Sequence, residues 1–176
     1  MFKKLVLVTA VCALPAIAQA NDTITFTGKV LNQTCKVDVV GHSANPVITM
    51  PTVSAKEIND AGNAGKTVFG LLVKECGVPE GSKLPIHVLF KAGEVTAAGN
   101  IANSTGTAKN VELELIDTSA SNKHVDLSLG ESLPFGEANS TTSSIQRNYV
   151  VQYISPNKNA TPGTVGGALQ YSLVYP

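Results

Sequence analysis

Ala168-Leu169-Gln170-Tyr171-Ser172-Leu173-Val174-Tyr175-Pro176 closes the sequence, alternating apolar with mostly small or polar residues up to its last positions. Alternation of period two marks a strand with one face in a core. Leu169, Tyr171, Leu173 and Tyr175 share one side with Val165 upstream, while Ala168, Gln170, Ser172 and Val174 share the other. Such a strand at the end of a chain is expected to leave the neighbouring sheet position to another segment. A shorter alternating segment, Ile24-Thr25-Phe26-Thr27-Gly28, stands near the other end, and the two read as halves of one intermolecular joint.

Ahead of that segment, Lys3 and Lys4, the apolar run from Leu5 to Ala18 and the small-x-small triplet Ala18-Gln19-Ala20 follow the order of a secretory leader. The apolar run is too short to span a bilayer comfortably. Residues 1–20 are expected to be removed, leaving a mature chain from about Asn21; Ala16-Ile17-Ala18 offers an alternative site two residues earlier. Cys12 lies inside the apolar run and precedes the cleavage signal, which argues against a retained lipid anchor. About 156 residues remain, the size of one domain. Without Lys3 and Lys4 the 13 basic residues fall to 11 against 13 acidic ones. That balance invites neither nucleic acid nor an anionic membrane surface. No later apolar run reaches the length of a membrane-spanning helix.

Of three cysteines, Cys35 and Cys76 remain after the leader. An oxidising compartment favours pairing an isolated two. The loop they would close is worth roughly 4 kcal/mol in chain entropy. A reactive thiol or a metal pair is the other reading, and no histidine lies near either cysteine.

The rest reads as almost entirely β. Alternating or apolar segments recur at Ile24 to Val39, Val47 to Met50, Thr67 to Cys76, Leu84 to Phe90, Asn110 to Asp117, His124 to Leu129, Ile145 to Ile154 and Val165 to Tyr175. Turn chemistry separates them at Gly41 to Pro46, Val78 to Gly81, Ala97 to Gly106, Gly130 to Gly136 and Ser155 to Gly163. Short strands at this spacing predict an antiparallel sandwich. In Asn110 to Leu115, Val111, Leu113 and Leu115 point inward and the glutamates outward. Ser54 to Ala61 alone predicts a helical turn, with Ser54 as N-cap and Glu57 completing a capping box.

Over nearly the whole mature chain these residues resemble the major-type pilin subunits of bacterial chaperone–usher fimbriae. The matching pieces are Ile24 to Val30 followed by Cys35, Met50-Pro51-Thr52-Val53-Ser54, and Gly65 to Phe69 leading to Cys76. Gly99 to Asn103, Gly106 to Val111 and Ala160-Thr161-Pro162-Gly163 follow in order, with Gly163 fourteenth from the end and Tyr175 penultimate.

The resemblance implies an immunoglobulin-like sandwich that lacks its last strand and is completed by a donor strand. A periplasmic chaperone first supplies that strand, and at an outer-membrane usher the N-terminal extension of the next subunit replaces it. Residues 21–28 would be the donor extension and 29–176 the pilin domain. Asp22, Ile24, Phe26 and Gly28 would be the donor positions, Asp22 being an awkward one to bury. Gly163, Val165, Leu169, Tyr171, Leu173 and Tyr175 would form the acceptor groove and the strand held by the chaperone. By pattern alone, the alternation at Ile24 and Phe26 reads more readily as an internal first strand; the resemblance makes it a donor. The implied product is a homopolymer of pilin subunits, exported through the periplasm to a cell-surface fimbrium that supports adhesion. The short extension also leaves room for a minor or adaptor subunit.

Other functional classes find less in the chain. His42, His87 and His124 show no metal-ligand spacing, and phosphate loops and nucleophile elbows are absent, so neither catalysis nor a cofactor is expected. A single-domain carbohydrate-binding adhesin is the other alternative; with no tryptophan and 5% aromatic residues, a sugar-stacking platform is poorly supplied.

Overall fold

A computed structural model describes residues 35–42, 46–142 and 144–176. The expected leader and donor positions Asp22, Ile24, Phe26 and Gly28 lie outside the described residues. The elements in order are β1 (Lys36–Val39), α1 (Ala55–Ala61), β2 (Asn63–Lys74), β3 (Lys83–Ala92), β4 (Ile101–Ala102), β5 (Glu112–Asp117), β6 (Lys123–His124), β7 (Ser132–Asn139), β8 (Ser144–Ile154) and β9 (Leu169–Val174). Every pairing between them is antiparallel. One sheet has the order β1-β2-β8-β5-β4, with β6 also on β5, and the other the order β7-β3-β9. The expected all-β antiparallel sandwich is the fold found.

Alternation builds the core as read. In β5, Leu113 and Leu115 are buried, as is Val111 just before it, while Glu112 and Glu114 stay half-exposed. Each glutamate is hydrogen-bonded: Glu112 accepts from Thr96 Oγ1 at 2.9 Å and Asn100 Nδ2 at 2.8 Å, and Glu114 accepts from Gln152. From the facing sheet, Leu84, Ile86, Val88 and Phe90 of β3 are buried in the same cluster. Helix α1 starts where Ser54 Oγ accepts from Glu57 N at 3.0 Å and stops at left-handed Gly62, whose N–H reaches Ile58 O at 2.7 Å. Ile58 anchors it in a satellite cluster with Ala64, Ala108, Val111 and Ala160.

Four expectations change, the smallest being that the turn read at Ala97 to Gly106 contains the two-residue strand β4, paired with β5. Gly130 to Gly136 reads as a turn, yet β7 begins at Ser132 and carries Pro134 and Gly136. Being an edge strand, β7 tolerates a proline without a backbone donor. A register shift beside Pro134 leaves Phe135 as the extra residue, and its ring is fully buried. Val47 to Met50 forms no strand: Ile48 and Met50 pack on the core and Val47 is exposed, but no ladder engages them. Of His124 to Leu129 only β6 is strand, because Asp126 Oδ1 accepts from Ser128 N and Oγ and turns the chain, with Val125 and Leu127 still buried.

Tyr149 on β8 sits at the centre of the core, stacked on Phe69 (centroids 5.7 Å apart) and edge-on to Phe90 (5.0 Å). Its hydroxyl is buried and has no partner among the described residues. Two residues earlier on the same strand, Arg147 donates to the carbonyl of Phe135 on β7, tying the two sheets together along that flank.

Burial, with the Asp117 carboxylate, pushes the Tyr149 hydroxyl well above its ordinary value of 10.0. The folded chain therefore keeps a proton that the unfolded chain releases above about pH 10, so stability falls as pH rises past that point. Tyr149→Phe is expected to make this alkaline loss shallower by one proton, about 1.4 kcal/mol per pH unit. Urea midpoints measured on either side of that pH check it; an unchanged slope would mean that Tyr149 ionises as an ordinary tyrosine.

Candidate functional site: the open flank beside the last strand

β9 pairs with β3 through Ala92↔Leu169, Lys91↔Gln170, Phe90↔Tyr171, Leu89↔Ser172, Val88↔Leu173 and His87↔Val174. Directly opposed residues share a face, so Leu169, Tyr171 and Leu173 point to the core beside Ala92, Phe90 and Val88. Val88 is 0% and Phe90 3% exposed, whereas Tyr171 and Leu173 are only half-buried, as are Leu169 and Tyr175. The ladder that seals the β3 side leaves the β9 side partly uncovered. Its other edge carries no strand among the described residues.

The first sheet ends in a matching edge, since among the described residues β1 pairs with β2 alone. The two edges face one another. Cys35 N, just before β1, donates to Tyr175 Oη at 2.9 Å. Burial, with Asp38 of β1, raises the Tyr171 hydroxyl above the ordinary tyrosine value. Asp38 is itself held by Lys74 Nζ at 2.6 Å. The flank between β1 and β9 is thus walled by apolar side chains that pack on the core without being sealed by it, Val37 on one side and the inward residues of β9 on the other. The opposite flank is the one closed by Arg147 and Phe135.

Cys35 and Cys76 form a disulfide with Cα atoms 4.0 Å apart, as cysteine arithmetic predicts. It joins the start of β1 to the end of β2, next to the bond from Cys35 to Tyr175. Gly163 lies where a Cβ would meet Ala108 N and come within 2.7 Å of Ala108 Cα; only glycine fits this backbone approach. Val165 is half-buried and touches both hydrophobic clusters. Gly163, Val165 and the inward residues of β9 fall along one run of chain leading into and through that strand. Sequence reading had no signal for the Tyr175–Cys35 bond or for Asp38 beside Tyr171, because both depend on which edges meet. Among the described residues no helix is long and apolar enough to cross a membrane.

At 17% identity, the chain is similar in fold to a subunit in the structure of a chaperone–usher pilus, with a TM-score of 0.59 over 93% of this chain and 100% of that one. In sequence it is 30% identical to the major fimbrial subunit SMF-1 of Stenotrophomonas maltophilia, over 93% of this chain and 98% of the relative. It is 28% identical to the F17 fimbrial protein of Escherichia coli over 86% of each. No family model matches it. The chain belongs to the fimbrial subunit family: it is a structural subunit of a bacterial cell-surface fimbrium. The minor or adaptor alternative is not favoured.

The bridge closes a long loop at the mouth of the open flank. Replacing Cys35 and Cys76 by serine is expected to lower the thermal midpoint by on the order of 10 °C, from roughly 4 kcal/mol in a domain of this size. Calorimetry of the purified chain checks this; an unmoved midpoint would make the bridge dispensable.

Proposed function

We propose that this subunit polymerises by donor-strand exchange, with β9 and β1 walling the acceptor groove and residues 21–28 of the next copy entering it. In this reading residues 1–20 are the leader, 21–28 the donor extension and 29–176 the domain that receives a donor. The observation that carries it is the contrast between fully buried Val88 and Phe90 on β3 and their half-buried partners Leu173 and Tyr171 on β9. A strand laid along the free edge of β9 would complete that ladder and cover those side chains. Chaperone–pilin donor-strand complementation is an established instance of such strand addition.

Ile24 and Phe26 share one side of an extended segment, and burying each against the half-covered face would contribute roughly 1.5–3 kcal/mol. Backbone hydrogen bonds along the ladder would set orientation. Asp22, on the same side, belongs at the groove mouth, where a carboxylate keeps its water. Gly28 ends the donor segment. Before assembly the same edge needs a substitute strand, since an exposed apolar edge invites uncontrolled pairing. A periplasmic chaperone fills that need, and an outer-membrane usher is the place where one strand replaces the other. The partner in the fibre is another copy of the same chain, and no catalytic step enters.

Appending residues 21–28 through a short linker after Pro176 tests the reading. The expected outcome is a monomer whose thermal midpoint rises by on the order of 10 °C, because several kcal/mol of new burial act on a domain of this size. No rise would mean that the flank is already closed. In cells, deleting residues 21–27 is expected to leave a subunit that accumulates with its chaperone yet donates no strand; normal fibres from that deletion would refute the donor assignment.

A further inference from the structure

The inward residues of β9 read Leu169, Tyr171, Leu173, Tyr175, so a slide by two positions keeps an apolar residue at every inward place while swapping leucine for tyrosine. A slip of one residue would turn the apolar side outward and is excluded by burial. A slip of two exchanges leucine for tyrosine opposite Phe90 and keeps every apolar residue inside. Apolar pattern therefore leaves the register of β9 undecided, and among the described residues β9 has one hydrogen-bonded neighbour to hold it where an interior strand has two. Something outside the strand must select the register.

We propose that a polar latch between residues 103–108 and 161–166 performs this selection, with the Tyr175–Cys35 bond pinning the far end. In the latch Thr107 N donates to Thr164 Oγ1 and Thr164 N to Thr107 Oγ1, each at 3.0 Å. Asn103 spans the same junction: its Nδ2 donates to Ala108 O and its Oδ1 accepts from Gly166 N, both at 2.9 Å. Ala108 N donates to Thr164 O at 3.0 Å. Gly106 and Gly163 let the two backbones touch, since a Cβ on Gly106 would meet Thr164 O and one on Gly163 would meet Ala108 N. The latch lies three residues ahead of Leu169. A two-residue slip would move the chain by about 7 Å, which this contact cannot follow.

Three motif segments of no evident role in the sequence, Gly99 to Asn103, Gly106 to Val111 and Ala160 to Gly163, thus supply or flank one device. Asn103, Thr107 and Thr164 are positioning residues for the acceptor strand. The consequence for assembly rests on the reading of β9 as that strand: a slipped β9 would present leucine where the incoming strand expects tyrosine.

Cysteine pairs report the register directly. Lys91 and Gln170 are exposed register partners, whereas a two-residue slip sets Lys91 opposite Ser172 or Ala168. In the otherwise unaltered full chain, Lys91→Cys with Gln170→Cys is expected to oxidise readily, and Lys91→Cys with Ser172→Cys or with Ala168→Cys only at background. Adding Thr107→Val and Thr164→Val is expected to raise one off-register pair well above background, and Thr107→Ser with Thr164→Ser to restore the native pattern. Asn103→Ser gives the same reading if the valine variant does not accumulate. Native-only cross-linking in the weakened latch would overturn the proposal. A shifted register with normal fibre assembly would leave the latch standing and count against β9 as acceptor, so the two ideas fail separately.

Discussion

The structure turns on a ladder that is complete on one side and open on the other. β3 lies between β7 and β9, and its inward Leu84, Ile86, Val88 and Phe90 are sealed; among the described residues β9 has only β3, and its inward side chains are half-buried. Full burial of one large apolar side chain is worth roughly 1.5–3 kcal/mol. Leaving the four inward residues of β9 half-covered forgoes roughly 3–6 kcal/mol, a large share of the about 5–15 kcal/mol that stabilises an ordinary domain. Such a shortfall is a defect in a protein that works alone. In the donor-strand exchange proposed for this subunit, it is the driving force for assembly.

For that force to act in one direction only, the rest of the sandwich must stay shut. Arg147 reaches across to Phe135 on the closed flank, Tyr149 packs between Phe69 and Phe90 at the centre, and the disulfide fixes β1 to β2 at the open mouth. None of these depends on a strand in the groove. In the proposed exchange these three features would hold the two walls in place while the space between them is filled, emptied and filled again. Closure by Tyr175 on Cys35 adds a link between those walls, made by a single hydrogen bond and so easily broken and remade.

Much of this was legible beforehand, and the failures have physical causes. Strands whose alternation is uninterrupted, such as β5 and β9, were read with the correct inward face, and so was the capped helix after Ser54. β7 was misread because Pro134 and Gly136 are turn residues by local chemistry; an edge position and a bulge override that chemistry, and neither is visible in a single stretch of sequence. Ile48 and Met50 alternate correctly but never join a ladder, since burial of one face does not require a hydrogen-bonded neighbour. The disulfide needed only counting. The contacts that brace the site, Tyr175 to Cys35 and Thr107 to Thr164, connect residues 140 and 57 positions apart, and no local pattern specifies which distant loops will touch.

The composition of β9 shows why these distant contacts matter. In the proposed role of acceptor, β9 must present apolar residues at every inward position, because each must pack against whatever strand arrives, and this uniformity strips the strand of the irregularities that ordinarily fix pairing. Interior strands recover register from two neighbours, and hairpin strands from a tight turn. Among the described residues β9 has neither, being preceded by 14 residues of irregular chain after β8. A junction rich in threonine, asparagine and glycine is suited to the missing role. Its bonds are directional where apolar contacts are not, and its glycines allow an approach that a shifted chain could not reproduce. Specificity in the apolar groove is thereby set by polar groups outside it, so the strand that most needs to be uniform can remain so.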